Sequence, residues 1–177
     1  CLPLAAGAAR GGEGGRRGGG GQGRGGAQGK AAAAGVGRIT GAIVRAMDSA
    51  RAVEGVALVV EAVQEDMSLK VDLFKTVVAK APAQAILATN TSTLSVIDLA
   101  MQTGRPDRVC GIHFFNPAPA MKLVEVVRPL TASDETIAEA IAFAEACGKQ
   151  AVTVKDEAGF IVNALLCPYL NNAVRML

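Results

Sequence analysis

The chain has 177 residues, half of them hydrophobic and only 3% aromatic, with a formal charge of +2. That length suits one domain with a sizeable core, and so small a charge points to no class of partner. No apolar run approaches the ~20 residues of a membrane span. The single histidine, His113, and cysteines at 1, 110, 147 and 167 without C-x-x-C spacing exclude a Cys/His zinc set, so no metal is expected.

Residues 1–37 hold 15 of the 21 glycines, so this segment has almost nothing to bury and is expected to be disordered. Between Cys1 and Lys30 the basic residues Arg10, Arg16, Arg17, Arg24 and Lys30 face one acid, Glu13, leaving the rest of the chain slightly acidic. Two G-x-G-x-x-G patterns occur here, Gly18/Gly20/Gly23 and Gly21/Gly23/Gly26. Composition alone produces them. A phosphate loop needs a strand before it and a helix after it, and neither is predicted. The Arg/Gly tract raises RNA binding as an alternative, but no aromatic residue precedes Phe74, so base stacking is absent and a nucleic-acid partner is not expected. No serine occurs before Ser49, which argues against a transit peptide. The chain opens on Cys1 and its first methionine is Met47, which reads as a fragment or a faulty gene model.

From about Arg38 the texture changes. GVALVVEAV (55–63) predicts a strand covered on both faces. A helix follows in DMSLKVDLFKTVVAK, with Leu69, Leu73, Val77 and Val78 at helical spacing. AQAILAT (83–89) predicts a second buried strand, and Asn90, Thr91, Ser92 and Thr93 offer caps for a helix over Leu94–Met101. RVCGIHFF (108–115) and KLVEVVRP (122–129) predict two more strands. Ser133 caps a helix through Ala146, stopped by Gly148, and AVTV (151–154) is a fifth strand. The last stretch, 159–177, predicts a helix kinked at Pro168. Cys110, Cys147 and Cys167 are expected as reduced thiols packed like small hydrophobes. Strands alternating with helices make an α/β sheet, parallel in its first part. Ligands on such sheets gather at the carboxyl ends of strands, where Asn90, Thr91, Ser92 and Asn116 fall.

The chemistry centres on IHFFNPAPAMKLVEVV (112–127). If the two strands fold back about Pro119, His113 and Glu125 become cross-strand partners with Cβ atoms about 5 Å apart. The carboxylate then fixes the imidazole tautomer and leaves the other ring nitrogen as a general base. The plain alternative is a buried histidine satisfied by the backbone, with Glu125 solvated. Neutral donors nearby, Asn116 and the Asn90–Ser92 cluster, suit polarising an alcohol or carbonyl oxygen.

VVEAVQEDMSLKVDLF, NTSTLSVIDLA, RPDRVCGIHFFNPAPAMKLVEVVRP and KDEAGFIVNALLCPYLNNAVRML closely resemble the L-3-hydroxyacyl-CoA dehydrogenase family, including 3-hydroxybutyryl-CoA dehydrogenases, from about Val53 to Leu177. The resemblance implies NAD-dependent oxidation of a 3-hydroxyacyl-CoA to the 3-oxoacyl-CoA, as in fatty acid β-oxidation or butanoate metabolism. By resemblance the catalytic residues are His113 (base), Glu125 (its partner), Ser92 and Asn163. The cofactor side comprises Glu65, Lys70, Asn90, Ser92 and Asn116. On the residues alone, Ser92 serves as a helix cap, Asn163 as a backbone partner near Pro168, and Glu65 with Lys70 as an exposed ion pair. The resemblance also implies a Rossmann-type NAD-binding domain over 38–157 that lacks its first βαβ unit. Residues 158–177 then start a C-terminal helical domain, otherwise missing, through which the parent forms a homodimer. The chain alone is expected to be inactive, and the parent cytoplasmic. A non-catalytic scaffold of the same fold is the remaining alternative.

Overall fold

The computed structural model describes residue 46 and residues 48–177. The segment 1–37 with its G-x-G-x-x-G patterns, and the expected lack of a first βαβ unit, concern residues outside those described.

A short helix α1 (Ser49–Ala52) leads to strand β1 (Leu58–Glu61), helix α2 (Met67–Val78), strand β2 (Ile86–Thr89) and helix α3 (Val96–Met101). Strand β3 (Val109–Phe114), strand β4 (Leu123–Arg128), helix α4 (Asp134–Ala146), strand β5 (Gln150–Lys155) and helix α5 (Val162–Arg175) complete the order. The five strands form one sheet in sequence order. β1, β2 and β3 are parallel, β4 runs antiparallel to β3, and β5 is parallel to β4. This is the α/β sheet, parallel in its first part, expected from the alternation of strands and helices, and of the Rossmann type that the resemblance implies.

Two apolar layers cover it. Ile86, Ala88, Cys110, Ile112, Val124 and Val126 pack with Ile137, Ala140 and Ala144 of α4. Leu87, Val109 and Val127 pack on the other face with Phe74 and Val77 of α2 and Val96 and Leu99 of α3. The period of two sorts the strands between these layers. By the same alternation His113 and Glu125 fall on the α2–α3 face. Gly111 sits there too, because a Cβ at that position would stand 2.7 Å from Val127 Cβ.

Several expectations need correction. In α2, Lys70, Phe74 and Val77 are buried and Leu73 and Val78 pack against the core as expected, while Leu69 is exposed. The N-cap of α3 is Ser95, whose hydroxyl accepts from the Asp98 amide. Of the residues at 90–93, Thr91 accepts from the Leu94 amide, while Asn90 and Ser92 face tertiary partners. Cys110 is buried, and desolvation pushes its thiol up to about 12. Cys147 and Cys167 are exposed, so they do not pack as core hydrophobes. Ser133 caps α4 as expected, and Gly148 follows that helix at φ +74°. Pro168 lies inside α5, none of whose residues is buried.

Candidate active site

The carboxyl ends of β1, β2 and β3 meet where the predicted residues converge. The register pairs His113 with Glu125, as folding about Pro119 requires. His113 Nδ1 lies 2.8 Å from Glu125 Oε2. A carboxylate only accepts, so Nδ1 is the donor in this pair, and in the neutral imidazole Nε2 then keeps its lone pair. Nε2 faces the Ser92 hydroxyl at 3.2 Å. In this tautomer the serine donates.

Glu125 has a second set of partners. Its Oε1 accepts from the amides of Ile161 and Val162, both at 3.0 Å, where α5 begins. Helix-end amides carry partial positive charge and favour an anion there. The carboxylate is therefore fully engaged although the residue is only 1% exposed. The local backbone delivers these amides. Gly159 has φ +78° and Phe160 φ +50°, a left-handed pair that turns the chain into α5. A Cβ at Gly159 would reach 3.0 Å from the Ala164 nitrogen. For phenylalanine the left-handed region costs about 1–2 kcal/mol, which the surrounding contacts must offset. Phe160 and Phe115 flank the imidazole, with ring centroids at 5.6 and 4.5 Å.

The segment carrying Ser92 is held by Glu65. Glu65 Oε1 accepts from the Thr91 hydroxyl at 2.6 Å and from the Ser92 and Thr93 amides at 2.7 and 3.2 Å. Partial burial pushes the Glu65 carboxyl up, but Thr91, the Ser92 amide, the Lys70 ammonium and the Thr93 amide together hold it below its ordinary value. Thr91 in turn accepts from the Leu94 amide. Past Ser95, the amides of Val96 and Ile97 donate to Asp156. Asn163 Nδ2 reaches the Ser92 carbonyl oxygen at 3.4 Å, closing a ring around Ser92.

The other predicted residues take distinct places. Asn90 Oδ1 accepts from the Phe114 amide, leaving its NH₂ as the available donor. Asn116 is exposed in the proline loop two residues beyond β3. Lys70 is not an exposed partner of Glu65: its side chain has no exposed surface, and Nζ lies 2.8 and 3.0 Å from the two Glu61 oxygens. Glu65 Oε2 stands farther off, at 3.6 Å. Glu61, read from sequence as part of an apolar run, is the residue that reasoning missed. Its signal in the sequence is slight, a lone acid ending an apolar strand, and the lysine that pairs with it stands nine residues on in the next helix.

The described residues offer a base with an oriented tautomer, neutral donors beside it, and the ends of three parallel strands. Dinucleotides sit at such ends. The Asn90 NH₂ and the Ser92 hydroxyl are neutral donors at those ends, of the kind a carboxamide oxygen can accept from. Among the described residues there is no glycine-rich strand-to-helix turn, and no group of three or more His, Cys, Asp or Glu could hold a metal ion. Among those residues no helix is long and apolar enough to cross a membrane.

The family model for the 3-hydroxyacyl-CoA dehydrogenase NAD-binding domain matches residues 21–157. A probable 3-hydroxybutyryl-CoA dehydrogenase of Bacillus subtilis is 48% identical over 117 residues, 66% of this chain and 41% of that protein. The mitochondrial hydroxyacyl-coenzyme A dehydrogenase of Sus scrofa is 45% identical over 141 residues, 80% of this chain and 45% of that protein. The solved 3-hydroxybutyryl-CoA dehydrogenase of Escherichia coli superposes with a TM-score of 0.78 at 37% identity, covering 84% of this chain and 31% of that one. The match thus spans less than half the length of each of these three relatives.

Proposed function

Because this chain belongs to the 3-hydroxyacyl-CoA dehydrogenase family, we propose that it carries the proton-transfer machinery for NAD-dependent oxidation of a 3-hydroxyacyl-CoA to the 3-oxoacyl-CoA. The observation that carries this reading is the single hydrogen-bonded line from Glu125 through His113 to Ser92. The substrate's C3 hydroxyl displaces the Ser92 hydroxyl from Nε2 and gives its proton to that nitrogen. Glu125 holds Nδ1–H and stabilises the imidazolium that forms. Ser92 then donates to the same substrate oxygen, and Asn163, whose amide meets the Ser92 carbonyl oxygen at 3.4 Å, would turn that NH₂ to the acyl carbonyl. NAD, when bound, supplies the acceptor for the C3 hydride. Glu65, Asn90, Ser92 and Asn116 would hold its nicotinamide end, with Lys70 acting from beneath. His113 is only 4% exposed, flanked by Phe115 and Phe160, so its proton exchanges with substrate rather than bulk water.

The reading extends to the whole protein. Residues 158–177 open a helical domain, a role supported by the exposed apolar side chains Leu165, Leu166, Tyr169, Leu170 and Val174 along α5. Two copies pair through that domain, and the protein works in the cytoplasm. The test is NADH formation from (S)-3-hydroxybutyryl-CoA by the longer protein expected to contain this chain. Substrate-dependent NADH supports the reading. Its absence, in a folded protein that binds NAD, sinks it.

A further inference from the structure

Three groups bound by Glu61 lead toward the segment that carries Ser92. Its Oε2 accepts from the Thr89 hydroxyl at 2.7 Å, at the last residue of β2. Its backbone oxygen accepts from the Asn90 amide at 2.8 Å. Both carboxylate oxygens bind Lys70 Nζ, which lies 3.6 Å from Glu65 Oε2. Glu65 then takes the Thr91 hydroxyl and the Ser92 and Thr93 amides. A further contact is local: Glu61 Oε1 accepts from the Val63 amide at 2.6 Å.

Stability alone does not account for this arrangement. The Glu61 and Lys70 side chains have no exposed surface, and taking two charges from water costs several kcal/mol per ion. A pair of apolar residues of similar volume usually serves a core as well or better. An ion pair here does what apolar residues cannot, because it fixes the direction of polar groups on two neighbouring segments. The Lys70 ammonium also favours the ionised Glu65 carboxylate, the form that accepts all three donors.

We propose that Glu61 is a positioning residue, which sets the Ser92 hydroxyl against His113 Nε2 through Thr89, Asn90 and the Lys70–Glu65 relay. Its consequence for turnover rests on the dehydrogenase reading. The geometric effect does not, and it is tested without turnover.

His113 is the only imidazole in the chain, so its ring resonances in a proton–carbon NMR spectrum report this contact without ambiguity. The ring signals of wild type, Ser92→Ala, Glu61→Gln and the double variant Glu61→Gln/Lys70→Met are compared in the 177-residue chain. Ser92→Ala displaces them by removing the hydroxyl. The inference expects Glu61→Gln to displace them in the same direction by a comparable amount, although Glu61 does not touch the ring. Should Glu61→Gln fail to fold, because Lys70 is left unpaired, the double variant removes both charges and keeps an uncharged core. It too should show displaced signals. Wild-type ring signals in a folded Glu61→Gln chain, or in the double variant, would overturn the proposal and leave Glu61 a structural acid. Failure of the dehydrogenase reading would instead appear as missing NADH formation with these shifts intact.

Discussion

Replacing Glu125 by glutamine probes the site most sharply, because both carboxylate oxygens are in use. One takes His113 Nδ1–H at 2.8 Å, and the other takes two helix-start amides at 3.0 Å each. Glutamine has one acceptor oxygen and one NH₂, so one side must meet a donor with a donor. Turning NH₂ toward α5 leaves two half-buried amides without their acceptor, at up to about 1–3 kcal/mol each. Turning it toward His113 costs one charge-assisted bond, about 1.5–3 kcal/mol, but the imidazole recovers part of that by moving its proton to Nε2. The second arrangement wins. The protein stays folded with a modest loss of stability, and the base nitrogen is now protonated. In serine proteases the matching exchange lowers kcat about 10⁴-fold through the wrong tautomer. A loss of about 10³-fold or more is expected here, near 4 kcal/mol of barrier. Nitrogen-15 spectra of the single imidazole give the tautomer, and NADH formation in the longer protein gives kcat. A variant that keeps Nδ1–H, or whose kcat stays within a few-fold of wild type, refutes the reasoning.

Other outcomes follow from the same geometry. Gly111→Ala puts a Cβ 2.7 Å from Val127 Cβ and 3.3 Å from Val96 Cγ2, so urea unfolding should show a loss of about 1–3 kcal/mol; an unchanged midpoint contradicts the close approach of β3 and β4. Glu65 titrates below its ordinary value in the fold, so its contribution is present above about pH 4.5 and fades as pH falls through the lowered value. Glu65→Gln should therefore flatten the decline in stability on acidification, and an unaltered pH profile argues against the Thr91–Thr93 contacts. Ser133→Ala removes the hydroxyl that accepts from the Thr136 amide, and a loss of about 1 kcal/mol is expected in thermal unfolding; no loss would mean the cap contributes nothing.

The sheet was legible because its strands are short branched apolar runs, and because Pro119 stands midway between His113 and Glu125. Two hydrophobic runs folding about that point can align those residues in only one register. The polar residues were harder to place. Asn90 to Thr93 resemble helix caps, yet Asn90 takes the Phe114 amide, Thr91 gives its hydroxyl to Glu65, and the cap falls to Ser95. Local sequence offers these side chains several partners, and tertiary contacts choose among them. Lys70 was misplaced because a lysine usually marks a solvated face, and only the third dimension brings Glu61 over it. The amides that hold Glu125 come from Ile161 and Val162, thirty-six and thirty-seven positions away, through a turn set by Gly159 and Phe160. No residue type announces a backbone donor.

NADH formation in the longer protein after His113→Gln, with NAD affinity measured alongside, tests whether His113 Nε2 is the base. Turnover should fall by about 10³-fold or more with NAD affinity nearly unchanged. Wild-type turnover in that variant would contradict that assignment.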